Sequence, residues 1–440
     1  MTDAPPSDAI TDTLPLVREP FDAVADVPGS KSITNRALVI AALARGTTKL
    51  TGALFADDTW RMIENLQTLG FDVEVDEQAC TIRVEGEGGH IPADNAELFC
   101  GNSGTTVRFL TAFCTIGRGT FKLDGIERMR QRPIGPLVQM LGVMGASIDS
   151  NNGYPPLTIN ADGLPGGRKA TYGAEISSQY LSAVLMAAPY AEEEVHVQLL
   201  GEQTSWPYVS LTMRLMDEFR VTPEVEYDPK TGKPILVAVP QGRYRGRAYT
   251  IEPDASAATY FLALAALHEG SRITVNGLGS TSLQGDVAFA KLLARAGADV
   301  DITPDTITVT GTDTLRGIDA DFADIPDTAQ TFAVVALFAD EPSTLTGLHT
   351  LSVKETDRIA ALEAELTKLG AKVTATPDSL TIVPPARPTP ASIATYDDHR
   401  MAMSFALVAT RVDGVVIEDP ACVNKTFPGY FDVMRRTISA

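Results

Sequence analysis

The sequence predicts an α/β protein of two domains, assembled from six copies of one structural unit. Three observations carry this expectation. The chain has 440 residues, more than the roughly 250–300 at which a single core stops growing. A pattern of about 70–80 residues recurs six times along it, the mark of a repeat architecture. Within a copy, the 3.6-residue period of a helix gives way, through a glycine, to the two-residue alternation of strands.

The ends of the copies are the plainest. LQTLGFDVEVDEQACTIRVEG, LVQMLGVMGASIDSNNGYPPLTIN, AKLLARAGADVDITPDTITVTG and LEAELTKLGAKVTATPDSLTIVPP each run from an amphipathic helix, through Gly, into two short strands. The glycine falls where a left-handed C-cap is wanted. LTMRLMDEFRVTPEVE is a fifth, looser version. The beginnings repeat as well: SKSITNRALVIAALARG, NSGTTVRFLTAFCTIGRG, SSQYLSAVLMAAPYA, DASAATYFLALAALHEG, DTAQTFAVVALFAD and DDHRMAMSFALVATRVDG place a small polar cluster before an Ala-rich or Leu-rich helix. Ser, Asn, Asp and Thr there are N-cap residues. Capping alone accounts for one such cluster. Six polar, partly cationic entrances also present free N–H groups and positive dipole ends, so if they converge they surround an anion site. The last copy lacks its strands, while LPLVREPFDAVADV near the N-terminus has a strand to spare, so the chain is expected to close on itself there. The stretch MTDAPPSDAITDTLPL reads as a short disordered lead without the pattern of a signal or transit peptide.

Composition narrows the function. A formal net charge of −20 opposes nucleic acid and anionic membranes, and no apolar stretch reaches the roughly 18–20 residues of a membrane span. Cations for a small anionic ligand must therefore be placed locally. Cys80, Cys100, Cys114 and Cys422 form no CxxC pair and no metal spacing with the five histidines, which fits a reduced cytoplasm. With neither GxxxxGK[ST] nor HExxH in the chain, no nucleotide, metal or other cofactor is expected.

Eight segments in order, VPGSKSITNRAL, GNSGTTVRFL, RMRQRPIGPL, ISSQYLSAVLM, IPDTAQT, VKETDRI, YDDHRMAM and NKTFPGYF, resemble the signature segments of the 5-enolpyruvylshikimate-3-phosphate synthases across essentially the whole chain. The resemblance implies two similar domains, each of three βαβαββ units, with the active site in the interdomain cleft. It places residues 28–252 in one domain and 1–27 with 253–440 in the other. It also implies a reaction between shikimate 3-phosphate and phosphoenolpyruvate, which together carry roughly five to six negative charges.

Such anions call for dense, directional cations, with Arg supplying a planar fork and Lys a mobile charge. Ser32 and Arg36 share a helix face after Lys31; the resemblance gives Ser32 and Arg36 to shikimate 3-phosphate and Lys31 to both substrates, where the bland reading is a capped helix with exposed cations. Asn102, Ser103, Gly104, Thr105 and Arg108 form the second entrance, and glycine allows close approach to the backbone. Gly104 matches a glycine bordering the phosphoenolpyruvate pocket. Phe109 stands where many plant and enteric members carry Pro, so the family's standing as a glyphosate target does not settle sensitivity here. Arg128, Arg130 and Arg132 crowd before Pro133, which suggests a loop; Arg132 is assigned to phosphoenolpyruvate, Arg130 is left unassigned and Arg128 is a weaker candidate.

Ser177, Ser178, Gln179, Ser205 and Tyr208 are neutral hydrogen-bonding groups that match shikimate-3-phosphate positions, with Gln179 also at phosphoenolpyruvate. Capping and turn chemistry is their plainer reading. Asp327 matches the base facing the 5-hydroxyl, against a simple N-cap. In VKETDR, Lys354 matches a shikimate-3-phosphate ligand, Glu355 a proton-transfer group and Arg358 a phosphoenolpyruvate ligand, against a solvated helix face with ion pairs. Arg400 and Lys425 complete the phosphoenolpyruvate set, while His399 beside Asp398 is equally well structural. The implied chemistry is addition followed by elimination, with Asp327, Glu355 and Lys31 as its acid–base groups. The UDP-N-acetylglucosamine enolpyruvyl transferases share the donor but carry a reactive cysteine, whereas the corresponding loop here reads ERMRQRPIG. A non-catalytic repeat protein binding a phosphorylated ligand would have no use for the carboxylates. A monomer acting on small molecules is expected.

Overall fold

The Ala-rich and Leu-rich segments fold as helices buried on every side, as all-round apolar sequences require, and strands enclose them in a fixed order. The copy from residue 95 to 162 is representative in the computed structural model. Strand Asn95–Phe99 leads into helix Gly104–Thr115, strand Arg118–Asp124, helix Gly135–Val143, and strands Ser147–Asn151 and Tyr154–Asp162. The first two strands are parallel, with Ala96 beside Phe121; the last strand pairs antiparallel with both Arg118–Asp124 and Ser147–Asn151. The order is βαβαββ, and every residue of Gly104–Thr115 is buried.

The structure describes residues 10–173 and 177–440. The chain divides into two compact units, Gly29–Glu252, and Met1–Pro28 with Pro253–Ala440. The Gly29–Glu252 unit holds three four-stranded sheets of the same order. One of them takes its first strand from the end of the segment: Ala248–Thr250 lies parallel to Arg45–Thr51. Helices Lys31–Leu43, Gly104–Thr115 and Ser178–Ala187 form its interior.

In the other unit, Asp22–Val24 lies parallel to Arg272–Asn276, and Asp319–Asp321 to Ser343–Thr346. Its third sheet has three strands, and here the expectation of a disordered lead through residue 16 is corrected. Thr11–Asp12 pairs antiparallel with Val416–Glu418, Leu14 is buried, and Arg435 forms an ion pair with Asp12. The last copy ends without its own hairpin strands, so the backbone groups of Val416–Glu418 need a partner that the N-terminal segment supplies. Residues 1–9 of that lead lie outside the described residues, as does Ile176 of the ISSQYLSAVLM segment. The inner helices Ala255–Ala266, Ala329–Ala336 and His399–Ala409 meet through apolar side chains and hydroxyl contacts, Thr259 to Thr331 at 3.2 Å and Thr331 to Ser404 at 3.3 Å.

The helix–glycine–strand signal holds at Gly70, Gly145, Gly297 and Gly370, with φ of 90°, 100°, 111° and 95°. The looser copy explains itself: after helix Trp206–Glu218 the left-handed position falls to Arg220, with φ 76°. No described helix is long and apolar enough to cross a membrane.

Candidate active site

In the Gly29–Glu252 unit the polar entrances are helix starts. Ser30 caps Lys31–Leu43 by accepting from the Ile33 amide at 3.4 Å, Ser103 caps Gly104–Thr115 by accepting from Thr106, and Ser177 caps Ser178–Ala187 by accepting from Gln179. Lys31 Nζ lies 3.4 Å from Asp58 Oδ2. Arg36 is almost wholly buried. Its Nε donates to Thr212 Oγ1 at 2.7 Å, Nη1 to the Ser32 carbonyl at 2.9 Å, and Nη2 to Ser182 Oγ at 3.3 Å. Burial pulls its pKa down to about 10, with Tyr208 acting in the opposite sense. Thr212 Oγ1 also lies 2.8 Å from the Tyr208 carbonyl, which draws Tyr208 into the same group.

Arg108 Nη1 donates to Gln179 Oε1 at 2.7 Å and reaches Ser177 Oγ at 3.4 Å. Arg132 Nη1 donates to the Asn102 carbonyl at 3.0 Å. Its guanidinium lies so close to Gly104 that a Cβ there would sit 2.7 Å from Nη2, so the small residue at this position leaves room for the end of Arg132. Ser178 is buried in the first turn of its helix. Ser205 is held at φ 56° and ψ 35°, a left-handed backbone that costs energy in a non-glycine residue and recurs at functional sites. Arg130 is exposed and bound to Asp124 at 2.9 and 2.5 Å, and Arg128 reaches Gln131; the structure places neither with the Arg36 group.

In the unit containing Pro253–Ala440, four cations interleave with three carboxylates. Asp327 Oδ1 lies 3.0 Å from Arg358 Nη1 and 3.6 Å from Lys354 Nζ, and its Oδ2 lies 3.0 Å from Arg400 Nη2. Glu355 meets Arg358 at 2.9 Å and Lys425 at 3.7 Å. Asp398 Oδ2 accepts from Arg358 Nε at 2.7 Å, and its Oδ1 caps helix His399–Ala409 through the Arg400 amide at 2.9 Å. Burial opposes the charge on Arg358, but Asp398, Glu355 and Asp327 outweigh it and raise its pKa. Burial also lifts the Tyr260 hydroxyl to about 12, with Arg400 and Arg358 pulling the other way. His399 is buried, with Nδ1 3.7 Å from Asp398 Oδ1.

Two of the plainer readings fail on geometry. Lys354 and Glu355 precede the helix, which begins at Arg358 behind the Asp357 cap, so VKETDR is no solvated helix face. Asp327 lies in the short turn Pro326–Thr328, the N-cap of the following helix Ala329–Ala336 is Thr328, and the Asp327 carboxylate meets Arg358, Arg400 and Lys354. Sequence reasoning passed over Asp58, Thr212 and Ser182 and gave Asp398 only a place at a helix start. Asp58 looks like any first-turn acid of helix Asp57–Thr68, and Thr212 and Ser182 look like interior helix positions. No local signal marks them.

Helix starts that gather cations, hydroxyls and buried carboxylates, set on repeated βαβαββ copies, define an enzyme of small anionic substrates. Residues 18–434 match the family described as EPSP synthase (3-phosphoshikimate 1-carboxyvinyltransferase). The chain is 42% identical over 424 residues to the 3-phosphoshikimate 1-carboxyvinyltransferase of Nostoc punctiforme, covering 95% of this chain and 97% of that protein. It is 45% identical over 417 residues to that of a Sulfurovum species, covering 94% and 96%, and 44% identical over 437 residues to the chloroplastic one of Arabidopsis thaliana, covering 96% and 83%. The solved EPSP synthase of Acinetobacter baumannii superposes with a TM-score of 0.78 at 25% identity, covering 97% and 98%. The chain belongs to the EPSP synthase family.

Proposed function

We infer that the protein transfers the enolpyruvyl group of phosphoenolpyruvate to the 5-hydroxyl of shikimate 3-phosphate, releasing phosphate. The observation that carries this reading is the Asp327 carboxylate held by Arg358, Arg400 and Lys354. A site that only bound anions would gain nothing from a carboxylate among its cations.

In this reading Arg36, Ser32, Ser177, Ser178, Gln179, Ser205, Tyr208 and Lys354 take shikimate 3-phosphate, and Arg132, Arg358, Arg400 and Lys425, with Gly104 and Gln179, take phosphoenolpyruvate; Lys31 serves both. Substrate oxygens compete with Asp327 for Arg358 and Arg400, which releases its carboxylate to accept a proton. The 5-hydroxyl oxygen then bonds to C2 of phosphoenolpyruvate as its proton passes to Asp327, while C3 gains a proton, the role this reading gives to Glu355 and Lys31 as the remaining acid–base groups. In the second half the proton on C3 passes back to the acid–base group that gave it, the C2–oxygen bond to phosphate breaks with its electron pair leaving on the phosphate, which takes the proton held by Asp327, and the C2=C3 double bond is restored in the product. The cations stabilise charge as it moves onto the departing phosphate.

The test is phosphate release by the purified protein with each substrate alone and with both. Release with both and with neither alone is expected, and release with UDP-N-acetylglucosamine in place of shikimate 3-phosphate would overturn the reading. Asp327→Asn is expected to lower turnover by about 10²-fold or more with a smaller change in substrate KM. We also propose that the chain acts as a monomer in a reducing cytoplasm; four free thiols support the compartment, and gel filtration tests the monomer.

A further inference from the structure

Arg36 in one unit and Arg358 in the other are each 1% exposed, and the two are neutralised differently. Arg358 meets Asp327, Glu355 and Asp398. Arg36 meets no carboxylate among the described residues; its hydrogen bonds go to two hydroxyls and a carbonyl. Taking a guanidinium out of water costs several kcal/mol unless something answers its charge. What faces Arg36 is the ring of Phe109, which is 1% exposed, with the guanidinium carbon 5.1 Å from the ring centroid. That distance is within the roughly 6 Å at which an aromatic face attracts a cation, and the attraction is strongest where both are desolvated.

A ring and a carboxylate are not equivalent partners. A carboxylate would cancel the charge of Arg36 and compete with any incoming anion. A ring stabilises the cation through its quadrupole and leaves the full charge, and with three of five N–H groups used two donors, available to a ligand. We propose that Phe109 is a positioning residue for shikimate 3-phosphate, holding Arg36 charged and in place without neutralising it. This rests on the reading that Arg36 binds that substrate. Thr212 and Ser182 fix the plane of the guanidinium from one side, and Phe109 fixes it from helix Gly104–Thr115. Without the ring, Arg36 spends part of its time out of position and substrate binding must restore it.

The experiment measures KM for both substrates and kcat in Phe109→Leu, in Arg36→Lys, and in proteins carrying mono-, di- and trifluorophenylalanine at position 109. Fluorination drains the ring face while barely altering its shape, so the series does not depend on Phe109→Leu folding well. Phe109→Leu is expected to raise KM for shikimate 3-phosphate about five- to thirtyfold, with kcat and phosphoenolpyruvate KM within about twofold of the parent. Log KM for shikimate 3-phosphate is expected to climb with each added fluorine. A flat fluorine series beside a raised KM in Arg36→Lys would overturn the role of Phe109. Flat KM values in both would overturn the assignment of Arg36 to that substrate, and the inference with it.

Discussion

Asp398→Asn isolates one buried charge pair. Asp398 and Arg358 are 0% and 1% exposed in their side chains, joined at 2.7 Å through Nε and 3.3 Å through Nη2. Asparagine keeps an oxygen to cap helix His399–Ala409 through the Arg400 amide, and its NH2 then stands where Oδ2 accepted from Arg358 Nε, so the substitution removes the charge and that hydrogen bond while the cap stays. Breaking a buried ion pair typically costs about 3–5 kcal/mol. Arg358 retains Glu355 at 2.9 Å and Asp327 at 3.0 Å, which brings the expected loss to about 2–3 kcal/mol. Asp398→Ala removes the cap too and is expected to lose about 1 kcal/mol more. A chain of two units need not unfold in one step, so amide exchange in peptides from His399–Ala409 is the measurement. Tryptophan fluorescence is the internal control, because Trp60 and Trp206 both lie in Gly29–Glu252 and should report an unchanged transition. Phosphoenolpyruvate KM is expected to rise by about tenfold or more as Arg358 loses its anchor. An exchange free energy within about 0.5 kcal/mol of the parent, the size of an ordinary surface substitution, would refute the reasoning.

Gly104→Ala would bring a methyl group to 2.7 Å from Arg132 Nη2 and 3.1 Å from Cζ; the flexible end of Arg132 must yield, so phosphoenolpyruvate KM should rise about tenfold while urea unfolding stays within about 1 kcal/mol. An unchanged KM would separate Arg132 from that substrate. Burial, aided by Arg411, lowers the pKa of His268 from 6.5 to about 4. Because the folded pKa is depressed, the unfolded chain binds the proton first, so stability present above pH 6.5 is lost as pH falls towards 4. His268→Gln should remove up to about 3 kcal/mol of that loss in acid urea titrations, and parallel pH curves for the two proteins would refute it. Arg220 occupies φ 76° on the surface, so Arg220→Gly should stabilise the Gly29–Glu252 unit by about 0.5–1 kcal/mol in the tryptophan-monitored transition, with kcat unchanged; destabilisation would show that the side chain matters more than the backbone.

What the sequence determined by itself is what short segments encode. The 3.6-residue and two-residue periods, the glycines at 70, 145, 297 and 370, and caps such as Ser103 and Ser177 act between neighbours a few residues apart, so six copies and their polar entrances are legible in one pass. The family resemblance named the residue types that anionic substrates require. It could not say what each would touch. Arg36 bonds to Ser182 and Thr212 across 146 and 176 positions, and Asp327 to Arg358 and Arg400 across 31 and 73. Thr11–Asp12 finds its strand partner only in Val416–Glu418. Such pairings have no local period because their strength comes from burial, and burial is set by which helices and strands pack together. Whether a charge meets a carboxylate, as Arg358 does, or an aromatic ring, as Arg36 does, is therefore decided by the tertiary structure: removal of water makes the partner matter, and only the folded chain removes it.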